Sequence, residues 1–309
     1  MAAPLRIIFM GTPDFAVPSL RGLVEHKYQV VAVITAPDRP SGRGLKLTPS
    51  PVKQYAVEQG IPVLQPEKLK ETAFLEQLRD LRADLQVVVA FRMLPEAVWA
   101  MPPRGTFNLH ASLLPQYRGA APINWAIING ETETGVTTFF IEKEIDTGKI
   151  IFQEKEPIYH DDTAGTLYER LMHQGVDLVV RTVEAIAGGS YPQEPQPELT
   201  EPKLAPKLFK ETCEIDWNRP ADDIRNFIRG LAPYPAAWTQ LNGSTCKLFN
   251  VQRVEEDPTD GQPGDYRTDN RKYLYFRAAD AWLSVEELQL EGKRRMSTGE
   301  LLRGMKIEP

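Results

Sequence analysis

The chain has 309 residues, 42% of them hydrophobic and 25% charged, a globular composition that excludes wholesale disorder and fibrous architectures and suggests about two domains. Thirty-six Lys and Arg against 42 Asp and Glu give a formal charge of −6, which excludes a protein that coats nucleic acid through its overall field but leaves room for a local basic face. No apolar run reaches the ~18–20 residues of a membrane span, and the short apolar stretch after Arg6 does not read as a signal peptide. The two cysteines, Cys213 and Cys246, are too few for a disulfide framework or a structural zinc site, so a cytoplasmic setting is expected.

In chain order, the first 150 residues alternate strand and helix signals. Leu5–Met10 is a short β-rich run, closed by a Gly11-Thr12-Pro13-Asp14 turn in which Asp14 suits a helix N-cap. Helical patterns follow to about Glu25, over Val52–Gln59 and over Glu67–Leu81, with strands predicted at Tyr28–Thr35, Pro62–Leu64, Leu85–Ala90 and Thr106–Leu109. Leu85–Ala90 is almost continuously apolar, the mark of a strand buried on both faces. This alternation predicts a Rossmann-like, mostly parallel α/β sheet with helices on both faces and its ligand beyond the carboxyl ends of the strands. Between Val136 and Pro157 two β-rich runs flank Asp146-Thr147-Gly148 and read as an antiparallel pair. Thr163–Ala187 reads as a long amphipathic helix ended by Gly188-Gly189. The stretch 190–206 holds five prolines and reads as a stiff linker. Beyond it, a helix near Ala221–Leu231 and β-like runs at Trp238–Leu241, Thr245–Val254, Lys272–Arg277 and Trp282–Leu290 predict a small OB-like β-barrel. The expected organisation is therefore 1–189, a linker at 190–206, and 207–309.

Several chemical templates fail. Gly11-Thr12-Pro13-Asp14-Phe15 sits where a dinucleotide fingerprint would but lacks its G-x-G-x-x-G spacing. The 42–46 stretch has no Walker A order, no G-x-S-x-G elbow is present, and the histidines at 26, 110, 160 and 173 have no metal-ligand spacing. The densest polar cluster is Asn108-Leu109-His110, whose side chains at i and i+2 share one face of a strand. An amide beside an imidazole suits a carbonyl that becomes an oxyanion. The same triplet also fits a strand end that merely satisfies local backbone groups. Asp146 is the candidate carboxylate partner, although Asp-Thr-Gly between two strands is also ordinary turn chemistry. The Pro37–Pro51 loop is long for a βα connection, and Arg39, Arg43 and Lys46 against Asp38 give it a local charge of about +2. It reads either as a polyanion contact or as a solvated surface loop.

Taken together, Phe9–Phe15, Pro37–Gly44, Pro49–Lys53, Asn108–Pro115, Arg118–Ile123 and Asp146–Gly148 resemble the methionyl-tRNA formyltransferase family of folate-dependent formyltransferases. The likeness runs along the whole chain and includes Ile215-Asp216-Trp217. It implies transfer of a formyl group from 10-formyltetrahydrofolate, with no metal, to the methionine amine of initiator Met-tRNA. It also implies Asn108, His110 and Asp146 as catalytic residues and Ser112, Leu113, Leu114 and Pro115 as a folate-binding segment. Arg39, Arg43, Lys46 and Lys207 become tRNA contacts, and a cytoplasmic monomer is expected. Ala90–Pro95 reads Ala-Phe-Arg-Met-Leu-Pro where the family often has Ala-Tyr-Gly-x-x-x-Pro, in the segment the resemblance assigns to the pterin pocket. A small-amine formyltransferase would use the same trio without the Arg43 loop or the C-terminal barrel. A tRNA-binding protein without catalysis would not need the trio, and a dinucleotide oxidoreductase would need the missing fingerprint.

Overall fold

The computed structural model describes residues 4–41, 46–254 and 260–308. Its elements begin with β1 (Arg6–Gly11), α1 (Val17–Glu25) and β2 (Gln29–Ile34). A hairpin, β3 (Arg39–Ser41) and β4 (Lys46–Thr48), leads to α2 (Pro51–Glu58), β5 (Val63–Leu64), α3 (Thr72–Asp80) and β6 (Leu85–Val89). Then come α4 (Glu96–Trp99), β7 (Thr106–His110), β8 (Arg118–Gly119), α5 (Pro122–Ile128), β9 (Glu133–Phe140), β10 (Ile150–Pro157) and α6 (Ala164–Gly188). The remainder is β11 (Leu204–Ala205), α7 (Ala221–Leu231), β12 (Ala237–Leu241), β13 (Ser244–Arg253), β14 (Tyr266–Thr268), β15 (Leu274–Arg277), β16 (Trp282–Leu290), β17 (Met296–Ser297) and α8 (Thr298–Gly304). These form two compact units, one of Met1–Arg118, Gly135–Glu156 and Tyr168–Lys203, the other of Gly119–Thr134, Pro157–Leu167 and Leu204–Pro309.

The first unit is built on a seven-stranded sheet in the order β10-β9-β7-β6-β1-β2-β5. Strands β5, β2, β1, β6 and β7 run parallel, and β9 turns antiparallel against β7. The pairing of β9 with β10 is antiparallel too, since Phe140 N–H donates to Lys149 O while Gly135 lies against Glu154. Ile7, Ile8, Phe9 and Met10 of β1 and all of β6 are buried, because helices cover both faces of a parallel sheet. Helix α6 lays Leu171, Leu178, Val179, Val183 and Ile186 into this interior at helical spacing. On leaving β1 the chain goes to β2 on one side, while β6 occupies the other. The carboxyl ends of β1 and β6 therefore flank a switch point, the usual place for a ligand crevice. A β-carbon on Gly11 would stand 2.9 Å from Val89 O at this edge, which explains the glycine there.

Two local expectations are corrected. Asp14 does not cap a helix: it opens a short 3-10 turn, Asp14–Ala16, and its carboxylate accepts a hydrogen bond from the Tyr168 hydroxyl at 2.7 Å. Burial, together with that bond, pushes the Tyr168 phenol above its ordinary range. Helix α3 begins at Thr72 rather than Glu67, with Glu71 before it in extended backbone, φ −65° and ψ 133°; further upstream the carbonyls of Pro66 and Glu67 accept from the Arg92 guanidinium. The Pro-rich stretch is extended, as a linker would be, but it is tethered. Ile150 and Glu194 exchange backbone hydrogen bonds at 2.8 and 3.0 Å, and Tyr117 N–H donates to Lys203 O at 2.6 Å.

The second unit carries an antiparallel sheet in the order β12-β13-β16-β15-β14, with β17 added to β16. It curls as a half-barrel, helped by register shifts in β13 around Asn250. The amphipathic face of α7, with Ala221, Ile224, Ile228 and Leu231, packs into its core beside Leu248 and Phe276. α7 and β16 match their predicted bounds, whereas β14, β17 and α8 were not predicted. A capping box between Ser297 and Glu300 starts α8.

Burial predicts a stability contrast. Phe107, fully enclosed on the central strand β7, should cost about 3–5 kcal/mol when changed to Ala. Val57, 62% exposed on α2, should change stability by no more than about 0.5 kcal/mol in Val57→Ala. Urea unfolding followed by circular dichroism measures both.

Candidate active site

The site lies where β7 ends. Asn108 pairs with Val88 on one side and Phe139 on the other, and His110 is the last residue of the strand. Their i, i+2 spacing puts both on one face of the pleat. Asn108 is half-buried and His110 is buried against the edge of Phe139, the rings 6.4 Å apart and 87° inclined. His110 Nε2 lies 2.9 Å from the carbonyl oxygen of Tyr117. A carbonyl only accepts, so this nitrogen carries a proton and donates it. Nδ1 is left on the side of Asp146, whose Oδ2 is 3.9 Å away, beyond hydrogen-bond distance but within reach of a charge pair. Only 7% of the imidazole and 17% of the carboxylate are exposed. Solvent therefore screens this approach less than it screens a surface pair.

Asp146 stands in a turn, as its Asp-Thr-Gly setting suggested, at φ +54°. Thr147 Oγ1 closes the turn by donating to Glu144 O at 3.0 Å. The turn residue and the candidate carboxylate are thus the same residue. Gly148 packs so tightly that an added β-carbon would fall 1.7 Å from Phe140 O.

The segment Ser112–Pro115 follows His110 directly. The Ser112 hydroxyl donates to Gln116 O at 2.7 Å, and Ser112 O accepts from Thr137 Oγ1 at 2.6 Å. Thr137 Oγ1 in turn accepts from Leu114 N–H at 3.2 Å, and Gln153 Nε2 donates to Leu114 O at 2.9 Å. Ser112 and Leu114 are buried, while Leu113 and Pro115 keep some exposed surface. Sequence reasoning missed Tyr117, Thr137 and Gln153, which support this region through contacts without a local pattern. Arg118 stood inside a quoted motif but received no role. In the Ala90–Pro95 segment Arg92 turns back onto the Pro66 and Glu67 carbonyls and Met93 is exposed.

Of the expected tRNA contacts, Arg39 is exposed on β3 and pairs with Thr48 on β4 across the hairpin, Lys46 opens β4, and Arg43 lies outside the described residues. The base of that hairpin is fixed by Asp38, which accepts from Lys53 Nζ at 2.6 Å and from Gln65 Nε2 at 2.8 Å. The Lys53 and Gln65 hydrogen bonds hold the Asp38 carboxyl below its ordinary range. Lys207 belongs to the second unit, exposed, with its ammonium over the Phe209 ring at 5.4 Å. Among the described residues no three His, Cys, Asp or Glu gather as a metal-binding group, and no helix is long and apolar enough to cross a membrane.

A strand-end amide and an imidazole that faces a carboxylate, at the carboxyl edge of a mostly parallel sheet, are groups of the kind an acyl-type group transferase uses. The chain belongs to the formyl transferase family: residues 5–183 match the family described as Formyl transferase, and residues 207–306 match Formyl transferase, C-terminal domain. It is 57% identical to a methionyl-tRNA formyltransferase of Parabacteroides distasonis and 55% identical to one of Bacteroides thetaiotaomicron, in each case over 98% of this chain and 96% of the relative. Its fold is also that of an N-formyltransferase from Helicobacter canadensis solved in complex with folinic acid and dTDP-3-aminofucose. That match has a TM-score of 0.68 at 22% identity, covering 91% of this chain and 98% of the other.

The packing around the Asp146 turn predicts a contrast between two glycines. Gly148→Ala should destabilise the protein by about 1–3 kcal/mol or more, since backbone must move to admit the methyl group. Gly188→Ala, at the end of α6 with no atom near its would-be β-carbon, should be neutral or stabilising by up to about 1 kcal/mol. Denaturant midpoints of the two variants provide the comparison.

Proposed function

We propose that this chain transfers the formyl group of 10-formyltetrahydrofolate to the amino group of methionine on initiator Met-tRNA, with Asn108, His110 and Asp146 at the reacting centre. The observation that carries this reading is the His110–Asp146 pair at the end of β7, 3.9 Å apart and largely buried, in a chain that matches methionyl-tRNA formyltransferases from end to end. In the reaction the bond from the formyl carbon to the methionine nitrogen forms and its bond to the folate nitrogen breaks. The amine proton ends on that folate nitrogen. Asn108 donates an amide N–H to the formyl oxygen as it gains negative charge. His110 has committed Nε2 to Tyr117 O, so it faces the reacting atoms through Nδ1. Asp146 faces that nitrogen and accepts the proton of the attacking amine.

The remaining assignments follow from the same reading. The 1–189 portion carries the chemistry, the 190–206 stretch joins it to 207–309, and the latter engages tRNA. In the Ser112–Pro115 segment, Leu113 and Pro115 have surface left to meet the folate, while Ser112 and Leu114 shape the loop from inside. Arg39, Arg43, Lys46 and Lys207 contact tRNA, and the protein works in the cytoplasm as a monomer. The Asp38–Lys53–Gln65 anchor supports the hairpin's part in this, because a fixed stalk lets its basic residues meet a defined part of the acceptor stem. An amino-sugar acceptor is the second reading, favoured only by the fold shared with the Helicobacter enzyme.

Two measurements test the proposal. His110→Ala and Asp146→Asn should each lower formyl transfer to Met-tRNA by about 100-fold or more while leaving the unfolding transition in place. Wild-type turnover in a folded variant removes that residue from the chemistry, and transfer to a nucleotide-linked amino sugar in place of Met-tRNA reverses the choice of acceptor. For the hairpin, kcat/KM is compared between initiator and elongator Met-tRNA. Arg43→Ala should shrink the ratio, whereas Lys46→Ala should weaken both alike and flatten the salt dependence. An unchanged ratio in Arg43→Ala returns that arginine to the solvated surface.

A further inference from the structure

Gln196 lies in the Pro-rich stretch that the sequence marks as a linker, yet its side-chain amide is fully engaged. Its Oε1 accepts from Arg118 twice, from Nε at 3.1 Å and from Nη2 at 2.6 Å. Its Nε2 donates to Asp146 O at 2.9 Å and to Gly148 O at 2.8 Å. Because guanidinium only donates and carbonyls only accept, the amide has one orientation that satisfies all four partners. Both carbonyls belong to the turn that holds Asp146 in the left-handed region, φ +54°. A non-glycine residue keeps that conformation only where its surroundings over-determine it.

The other end of the network leads to His110. Arg118 follows Tyr117, whose carbonyl accepts a hydrogen bond from His110 Nε2. The Tyr117 amide is held from the far side by Lys203 O, and Lys203 N–H donates back to Gln116 Oε1 at 2.7 Å. One short segment, 116–118, thus fixes the imidazole through its backbone and the carboxylate's turn through Arg118 and Gln196.

We propose that Gln196, oriented by Arg118, is a positioning residue for formyl transfer that sets the approach of Asp146 to His110. The inference rests on the proposed catalytic role of that pair. A carboxylate 3.9 Å from Nδ1 has little latitude, since a misplacement of about 1 Å can cost on the order of 100-fold in rate. Charge-assisted bonds from Arg118 also make the amide a stronger donor to the two carbonyls.

The test uses the full-length protein and four variants: Gln196→Leu, Gln196→Glu, Asp146→Asn, and Asp146→Asn combined with Gln196→Leu. Leu keeps the shape and removes every bond. Glu keeps the Arg118 contact and sets a carboxylate oxygen against the two carbonyls, so it serves even where Leu does not fold. Each Gln196 single variant should lower kcat by about 10-fold or more, with KM for 10-formyltetrahydrofolate and for Met-tRNA within about twofold of wild type. Since Gln196 acts through Asp146, adding Gln196→Leu to Asp146→Asn should cost less than about twofold more. Wild-type kcat in folded Gln196→Leu or Gln196→Glu, beside an inactive Asp146→Asn, overturns the positioning role and leaves the catalytic reading of Asp146 intact. An undiminished loss when Gln196→Leu is added to Asp146→Asn also overturns it, by showing another route of action. Full activity of Asp146→Asn removes the catalytic reading and the positioning role together.

Discussion

Double burial of the central strands is the constraint on which the first unit depends. β1 and β6 put apolar side chains into both faces of the sheet, and such strands are stable only where helices cover each side. Covering both faces leaves the strand ends as the places where polar groups can gather. The carboxyl end of β7 is one of these, and there the pattern breaks: Thr-Phe-Asn-Leu-His interleaves buried apolar residues with Asn108 and His110. The antiparallel return of β9 then brings the β9–β10 turn, and with it Asp146, to His110.

At that edge a single hydrogen bond orients the imidazole. Donation from His110 Nε2 to Tyr117 O uses up one nitrogen and fixes the ring plane, so that Nδ1 is the nitrogen turned toward Asp146. A histidine with both nitrogens open would sample two tautomers and several orientations. In the proposed reaction, rigid placement of the imidazole on a strand end, with its carboxylate partner on an adjoining turn, would let a small proton movement accompany formyl transfer without rearrangement of the sheet.

How far the sequence discloses this depends on the range of the interactions. α7 and β16 fall on their predicted bounds because their signals are local, namely an amphipathic period after Pro220 and an alternating β-rich run. The Asn108–His110 face is also legible, since the period of a strand alone aligns i and i+2. The stretch before α3 is less so, since Glu67 O is met by Arg92, 25 residues away. Nor is the use of Asp14, whose partner Tyr168 is 154 residues distant. For Asp146 local chemistry announces a turn and stops there, and its approach to His110 exists only once β9 has paired with β7.

The Pro-rich stretch shows why composition can mislead about function. Five prolines rule out a helix or a central strand, and that much is correct. Prolines also keep a chain extended without internal hydrogen bonds, which frees the remaining backbone and side chains for partners elsewhere. Glu194 uses that freedom to bond Ile150, Lys203 to bond Tyr117, and Gln196 to bond the Asp146 turn. Stiffness is useful for such a strap, because a residue already confined to an extended path loses less entropy when it is pinned. The composition that marks a connector is therefore also suited to a brace laid along the Asp146 turn.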